Sequence, residues 1–149
     1  MKLIISIHLL AAVVWVGGMF FSLLVLRPSC MFLEPPLRMQ LTMAVMGRFF
    51  NWVWILVLTL VATGWSMIMN NFSGIEKPWH VISMLVAGHT MLLIFLFAYL
   101  VPFQKARSAI EKEDRPTAGR NLDLIRKLIT ANLALGIFLV ISGSLGRHL

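Results

Sequence analysis

The sequence predicts an all-α protein, a four-helix bundle that spans a membrane. Of its 149 residues, 59% are hydrophobic and 13% are charged, whereas soluble domains are about a quarter charged. A span needs about 20 apolar residues, and four such runs occur: residues 3–26, 49–69, 79–101 and 128–145. We therefore predict one integral membrane domain over residues 1–149.

The first run follows a lysine, as a signal-peptide core would. It contains 24 uncharged residues, Leu3–Leu26, which is longer than such a core, and no small-x-small cleavage site follows it. Arg27 and Pro28 before Cys30 also fit a lipoprotein cleavage site poorly. We expect this segment to be retained as the first span.

The connections predict helices that extend beyond the membrane. Pro35 and Pro36 can start a helix, because its first turn has unpaired N–H groups in any case. The second helix is therefore expected to begin well before its membrane part. The third span is expected to end at Pro102. The charged residues 102–127 should form a helical hairpin in which helices 3 and 4 extend into the cytoplasm, with the sequence DRP as its breaker.

Basic residues are distributed unevenly between the two sides of the predicted bundle. The termini and the 70–78 turn carry three: Lys2, Lys77 and Arg147. The other two connections carry ten: Arg27, Arg38, Arg48, Lys105, Arg107, Lys112, Arg115, Arg120, Arg126 and Lys127. Because cytoplasmic loops are enriched in Lys and Arg, both termini are predicted to be periplasmic, in a bacterial inner membrane. The net charge of +7 thus indicates a lipid bilayer and not a nucleic-acid partner.

Small and polar residues mark the helix faces that are expected to turn inward, since helices in lipid associate through such residues. The stripe on the first span is His8, Ala12, Trp15, Met19 and Ser22, with Gly18 beside it. The stripe on the last span is Asn132, Gly136, Leu139, Gly143 and Arg147. Close helix packing explains both stripes. A flat cofactor would use the same kind of face, with one nitrogen ligand, small residues and an aromatic wall.

The histidines are the candidate metal ligands. His80 and His89 are nine residues apart and so point to opposite sides of a straight helix. His89 is expected near the bilayer midplane, where an ionisable group is a functional candidate by default. His8 lies at an intermediate depth. For His8 the alternative is a hydrogen bond to a hydroxyl or carbonyl of a neighbouring helix.

A second ligand pattern, His80–Met84–Met91, follows one face of the third span. Imidazoles and thioethers suit Cu(I), although methionines also pack well in cores. All six acids lie in or beside the connections, and no nucleophile–base pair is present. Hydrolytic catalysis is therefore not predicted, and any enzymatic activity would be of the oxidoreductase type.

Three segments carry a resemblance to known families: "IHLLAAVVWVGGMFFSLLVLRP", "WHVISMLVAGHTMLLIFLFAYLVPF" and "NLALGIFLVISGSLGR". Together they resemble small bacterial CopD-domain proteins, four-helix membrane proteins related to a copper-resistance domain. The spacing of His8, Trp15 and Gly18 is also similar to the first helix of HemJ-type protoporphyrinogen oxidases. That similarity implies b-type haem binding at the first-helix histidine, which is His8.

We therefore predict an inner-membrane protein that binds haem b, for electron transfer or for haem or porphyrin handling. His8 is the expected axial ligand, His89 the second ligand and His80 the substitute. Trp15 and Gly18 would flank the cofactor, and Arg147 would meet its carboxylates.

Two alternatives stay open at this point. The first is copper transport or resistance, with ligands His80, Met84 and Met91. The second is an accessory membrane subunit without a cofactor. A periplasmic or membrane partner for redox or copper exchange, and a homo-oligomer, are compatible with all of these functions.

Overall fold

A computed structural model describes residues 2–71 and 79–145 as four long helices. Helix α1 is Lys2–Phe20, and it continues as a π-helix over Phe21–Leu26 and as an α-helix over Arg27–Ser29. Helix α2 is Pro35–Asn71. Helix α3 is Trp79–Ala98, and it continues as a π-helix over Tyr99–Phe103 and as an α-helix over Gln104–Glu111; helix α4 is Arg115–Leu145. All four are long and apolar enough to cross a membrane. The predicted fold class, an all-α bundle of four spanning helices, is confirmed.

Two prolines affect the helices differently. Pro35 opens α2, as predicted, so this helix begins about four turns before residue 49. Pro102 does not end the third helix, contrary to the sequence-based expectation. It lies inside the π-helical stretch Tyr99–Phe103. A wider turn accommodates a proline, which lacks an N–H and crowds the preceding turn, so the helix continues to Glu111.

The predicted hairpin beyond the spans is present. Its two arms pack through small residues, and Ala106 and Ala118 are fully buried. At its tip the Asp114 carboxylate accepts a hydrogen bond from the Thr117 backbone N–H at 3.1 Å, which caps α4. A hydrogen bond from the Thr117 side chain, together with this backbone bond, holds the pKa of the Asp114 carboxyl below its ordinary value.

The helices meet through two kinds of contact. Helix α1 packs against α2 and α4, and α3 packs against α4, with close backbone approach. Helices α2 and α3 meet through large aromatic rings. Phe50 of α2 lies 5.7 Å from Phe95 and 5.0 Å from Phe103 of α3, and Trp54 lies 5.2 Å from Phe95 between ring centroids. These rings fill the centre of the bundle.

The two ends of the bundle differ chemically. We call the end with the connections 30–34 and 112–114 the basic end, because most of the lysines and arginines lie there. We call the other end the histidine end; there α1 carries His8 and α3 begins at Trp79-His80. The assignment of the basic end to the cytoplasm stays a prediction.

Candidate functional site

His8 lies half-buried between α1 and α2. Its Nδ1 is 2.7 Å from the Thr63 hydroxyl oxygen, which is itself 2.6 Å from the Thr59 carbonyl oxygen. A hydroxyl has one proton, and Thr63 donates it to that carbonyl. His8 therefore donates through Nδ1–H to Thr63, and the ring also has a hydrogen bond to the Leu60 backbone. This tautomer is the one that binds a metal through Nε2, with the other ring nitrogen held by a hydrogen bond.

The helix surface facing His8 is shaped by a glycine. A Cβ atom added at Gly64 would lie 3.5 Å from Cε1 of the imidazole, so the ring rests directly on the α2 backbone. The hydrogen bond to a neighbouring helix's hydroxyl, left open from the sequence, is thus present. Sequence reasoning did not single out Thr63, because its role depends on the rotation of α2 relative to α1.

His89 has the same tautomer in a different environment. Its Nδ1 lies 2.7 Å from the Leu85 carbonyl oxygen of its own helix, so Nε2 is the free nitrogen. The ring is exposed on the bundle surface. It meets Trp65 of α2 edge to face, with centroids 6.2 Å apart at 86°.

The structure places His8 and His89 on different sides of α2. Their partners Thr63 and Trp65 are two residues apart, which is about 200° around a helix. No hydrogen bond or ring contact joins the two histidines within the described part of the chain. They therefore contact α2 separately.

Trp15 and Gly18 lie in the packed core. Trp15 is 6% exposed and meets Phe95 edge to face at 6.4 Å. A Cβ atom on Gly18 would overlap the Phe49 ring. The inward face of α1 predicted from the sequence is therefore the observed one, and protein side chains cover it at these two positions.

The two methionines of the candidate copper path face α4. The Met84 methyl group occupies the space where a Gly143 side chain would begin, whereas the Met91 methyl group lies 3.5 Å from where a Gly136 Cβ would be. Met91 is 3% exposed, whereas Met84 is 39% exposed. Met84 is therefore the accessible thioether of this pair. For His80 only the backbone is described, and Arg147 lies outside the described residues.

Polar groups also join α3 and α4 inside the bundle. The hydroxyls of Ser83 and Ser142 are 2.9 Å apart, and the Asn132 amide donates to the Met91 carbonyl oxygen at 3.1 Å. The Oδ1 atom of Asn132 is buried without a hydrogen-bond partner. It borders a cavity of about 10 Å³ beside Trp15, which is about the size of one water molecule.

A larger cavity, of about 290 Å³, lies at the basic end between α1, α2 and α4. Its charged lining residues are Arg27, Arg38, Asp123 and Arg126. From the sequence, the three arginines indicated only the orientation of the chain in the membrane. They come from three helices, α1, α2 and α4, so their convergence depends on the helix packing.

Clusters of three or more His, Cys, Asp or Glu side chains that could hold a metal ion do not occur among the described residues. A copper site at the histidine end would have to combine imidazole with thioether ligands.

Comparison with known proteins gives one match. No curated protein and no solved structure matches the chain. Residues 43–145 match the family described as copper resistance protein D, CopD. The matched region begins within α2 and includes all of α3 and α4, which is more than half of the chain. On this match, the chain belongs to the CopD family.

Proposed function

We propose that this copper-resistance-related membrane protein binds copper as its cargo at the histidine end of the bundle. The observation that carries the proposal is the match to the CopD family over residues 43–145. The family match favours copper over the haem function that we preferred from the sequence. In this proposal His8 and His80 provide imidazole ligands and Met84 provides a thioether.

All three ligands lie at the histidine end, His8 and Met84 at comparable depths and His80 about one turn nearer the end of the bundle. His8 is six residues from the start of α1, and Met84 is five residues from the start of α3. At 1.5 Å per residue these distances are about 9 and 8 Å. His80 is the second residue of α3. Imidazole and thioether ligands together suit Cu(I), and the Thr63 bond presents Nε2 of His8 in the form that coordinates a metal.

The close packing in the middle of the bundle favours copper binding at one end over copper passage through the centre. Trp15, Phe50 and Phe95 pack edge to face across it, and each of them is at most 6% exposed. The neighbouring cavity of about 10 Å³ does not form a channel. We therefore propose copper binding, and release to a membrane or periplasmic partner, at the histidine end.

Copper loading of the purified chain tests this proposal. The full chain in detergent is incubated anaerobically with Cu(I), and bound copper is measured by elemental analysis after removal of the excess. We expect stoichiometric copper in the wild type and a loss in His8→Ala, His80→Ala and Met84→Leu. Met91→Leu is the matched control, because Met91 is buried against Gly136. A wild-type protein that retains no copper contradicts the proposal.

Haem b is the second candidate, and one observation favours it. His8 and His89 both use Nδ1 in hydrogen bonds, as does a haem ligand that coordinates through Nε2. Protein purified from haem-replete cells would then show a Soret band that weakens or shifts in His8→Ala. Colourless protein that binds copper would exclude this candidate. Colourless protein without copper would favour the accessory subunit.

We also propose that the protein lies in a bacterial inner membrane with the basic end in the cytoplasm. The excess of arginine and lysine at that end supports this orientation. Reporter enzymes fused after Leu149 test it. A reporter active only in the periplasm should be active there, and a reporter active only in the cytoplasm should not. The reverse pattern contradicts the orientation.

A further inference from the structure

The cavity at the basic end is built by three helices. Its wall combines the last turns of α1, the first turns of α2 and the 119–129 part of α4. Its volume of about 290 Å³ is close to the lower limit for pockets that bind small molecules. The cavity therefore has room for a polar group larger than a water molecule.

The lining charges leave this cavity positive. Three guanidinium groups, of Arg27, Arg38 and Arg126, face one carboxylate, that of Asp123. Asp123 pairs with Arg126 and also with Lys127, whose Nζ is 3.0 Å from Oδ2. The single acid is thus shared between two cations. The cavity wall has positive charge that its own residues do not neutralise.

The arginines also have unused donors. The Nε atom of Arg126 is buried without a hydrogen-bond partner. Arg38 donates to the Met31 sulfur at 3.7 Å, and a thioether is a weak acceptor. Guanidinium groups bind phosphate oxygens with two parallel hydrogen bonds, so these donors match a phosphate group.

Apart from Ser22 and Thr42, most of the remaining lining is apolar. Leu23, Leu26, Ile125 and Ile129 form this part of the wall, within helices that are apolar enough to span a membrane. A lining that combines charged with apolar residues fits an amphiphile better than a free ion. Basic pockets between membrane helices bind lipid head groups in this way.

Sulfur atoms of Cys30, Met31, Met39 and Met46 line the same cavity and would suit Cu(I). The charges oppose this use. Three guanidinium groups against one carboxylate raise the energy of a bound cation and lower that of a bound anion. We therefore infer that this cavity binds the phosphodiester head group of an anionic phospholipid, held by Arg38 and Arg126 between α1, α2 and α4. This inference does not depend on the copper proposal.

Lipid binding by the full chain in a non-ionic detergent tests the inference. Native mass spectrometry compares phosphatidylglycerol with zwitterionic phosphatidylcholine of the same acyl chains. We expect phosphatidylglycerol to bind at least about tenfold more tightly, which corresponds to one charge-assisted contact. Arg38→Gln and Arg126→Gln should each remove about this preference. Arg38→Gln breaks no ion pair within the described chain, so it stays informative if Arg126→Gln fails to fold.

The matched control is Arg107→Gln. Arg107 is at the same end but is exposed and paired with Glu111 at 3.5 Å, outside the cavity. It should leave the preference unchanged. Equal binding of the two lipids, or an equal loss in Arg107→Gln and Arg38→Gln, overturns the inference. Glycerol phosphate that displaces the lipid at equal concentration would indicate a soluble-anion site, and Cu(I) retained through Cys30 would indicate a metal site. Either result also overturns it.

Discussion

The two ends of the bundle place their polar side chains in opposite ways. At the histidine end, His8 rests on Gly64 and is held by Thr63, and Met84 occupies the space beside Gly143. At the basic end, the arginines surround open space, and one buried donor has no partner. Close packing holds the His8 imidazole in place at the histidine end. At the basic end, part of the positive charge of the arginines has no carboxylate of the protein to pair with.

This difference indicates what each end can bind. An imidazole held by a hydrogen bond coordinates a metal with little reorganisation. Uncompensated guanidinium groups around a cavity are suited to an anion. The same four helices can therefore serve a copper ligand set at one end and a lipid phosphate at the other, and the following changes test that separation.

The largest effect is expected from Gly18→Ala, which tests the close packing that aligns α1 with α2. The added methyl group would overlap the Phe49 ring, and overpacking of this kind costs about 1–3 kcal/mol. The neighbouring Gly17→Ala is the control, because no atom lies within 4 Å of its new Cβ. It should be neutral or stabilising by up to about 1 kcal/mol. Free energies of unfolding in mixed micelles measure both, and equal values would contradict the packing.

Thr63→Val tests the positioning of His8. The change removes the hydroxyl that accepts from Nδ1, so the ring loses its fixed tautomer and orientation. Loss of such a partner lowers metal affinity by about 10- to 100-fold. A Cu(I) competition titration measures this. Thr59→Val should leave the affinity unchanged, because the Thr59 hydroxyl bonds to the Ile55 carbonyl of its own helix. The same loss in both variants would argue against a specific role for Thr63.

Much of the fold could be predicted from the sequence, because apolar length and proline position are local properties. The four spans, the early start of α2 and the hairpin follow from them. Continuation of α3 through Pro102 could not be predicted, since the cost of a proline inside a helix normally ends it. The π-helical turn that avoids this cost depends on packing around Phe103, which is 6% exposed.

The candidate sites were less predictable. The inward stripe on α1 was visible, because Trp15 and Met19 share a helical face. The partner of His8 was not, since it depends on the rotation of α2. The arginines of the basic cavity are separated by up to 99 positions, from Arg27 to Arg126, so only the three-dimensional packing brings them together.

A smaller effect is expected from Ser142→Ala, which removes the hydrogen bond to Ser83 near the histidine end. Hydrogen bonds between membrane helices contribute about 0.6 kcal/mol on average. Unfolding in mixed micelles should show a loss of about this size. Ser144→Ala is the control, because Ser144 is exposed. No difference between the two would mean that this bond does not stabilise the α3–α4 contact.

The smallest effect is expected at the tip of the basic end. The pKa of Asp114 is lowered in the folded chain, so the ionised carboxylate stabilises the start of α4 at pH values above its ordinary pKa of about 3.9. That contribution is lost as the pH falls through the lower, folded value. The unfolding temperature measured as a function of pH should fall slightly less at acid pH in Asp114→Asn than in the wild type. The asparagine side chain can still cap α4, but it does not titrate. An unchanged profile would contradict the assignment.

The central claim is that copper binds at the histidine end and not at the basic end. X-ray absorption at the copper edge of the Cu(I)-loaded full chain tests it most directly, because it distinguishes nitrogen from sulfur neighbours. We predict mixed nitrogen and sulfur ligation in the wild type, and in His8→Ala less bound copper with a smaller nitrogen contribution. Copper bound by sulfur alone, as Cys30 and the nearby methionines would provide, would contradict the claim.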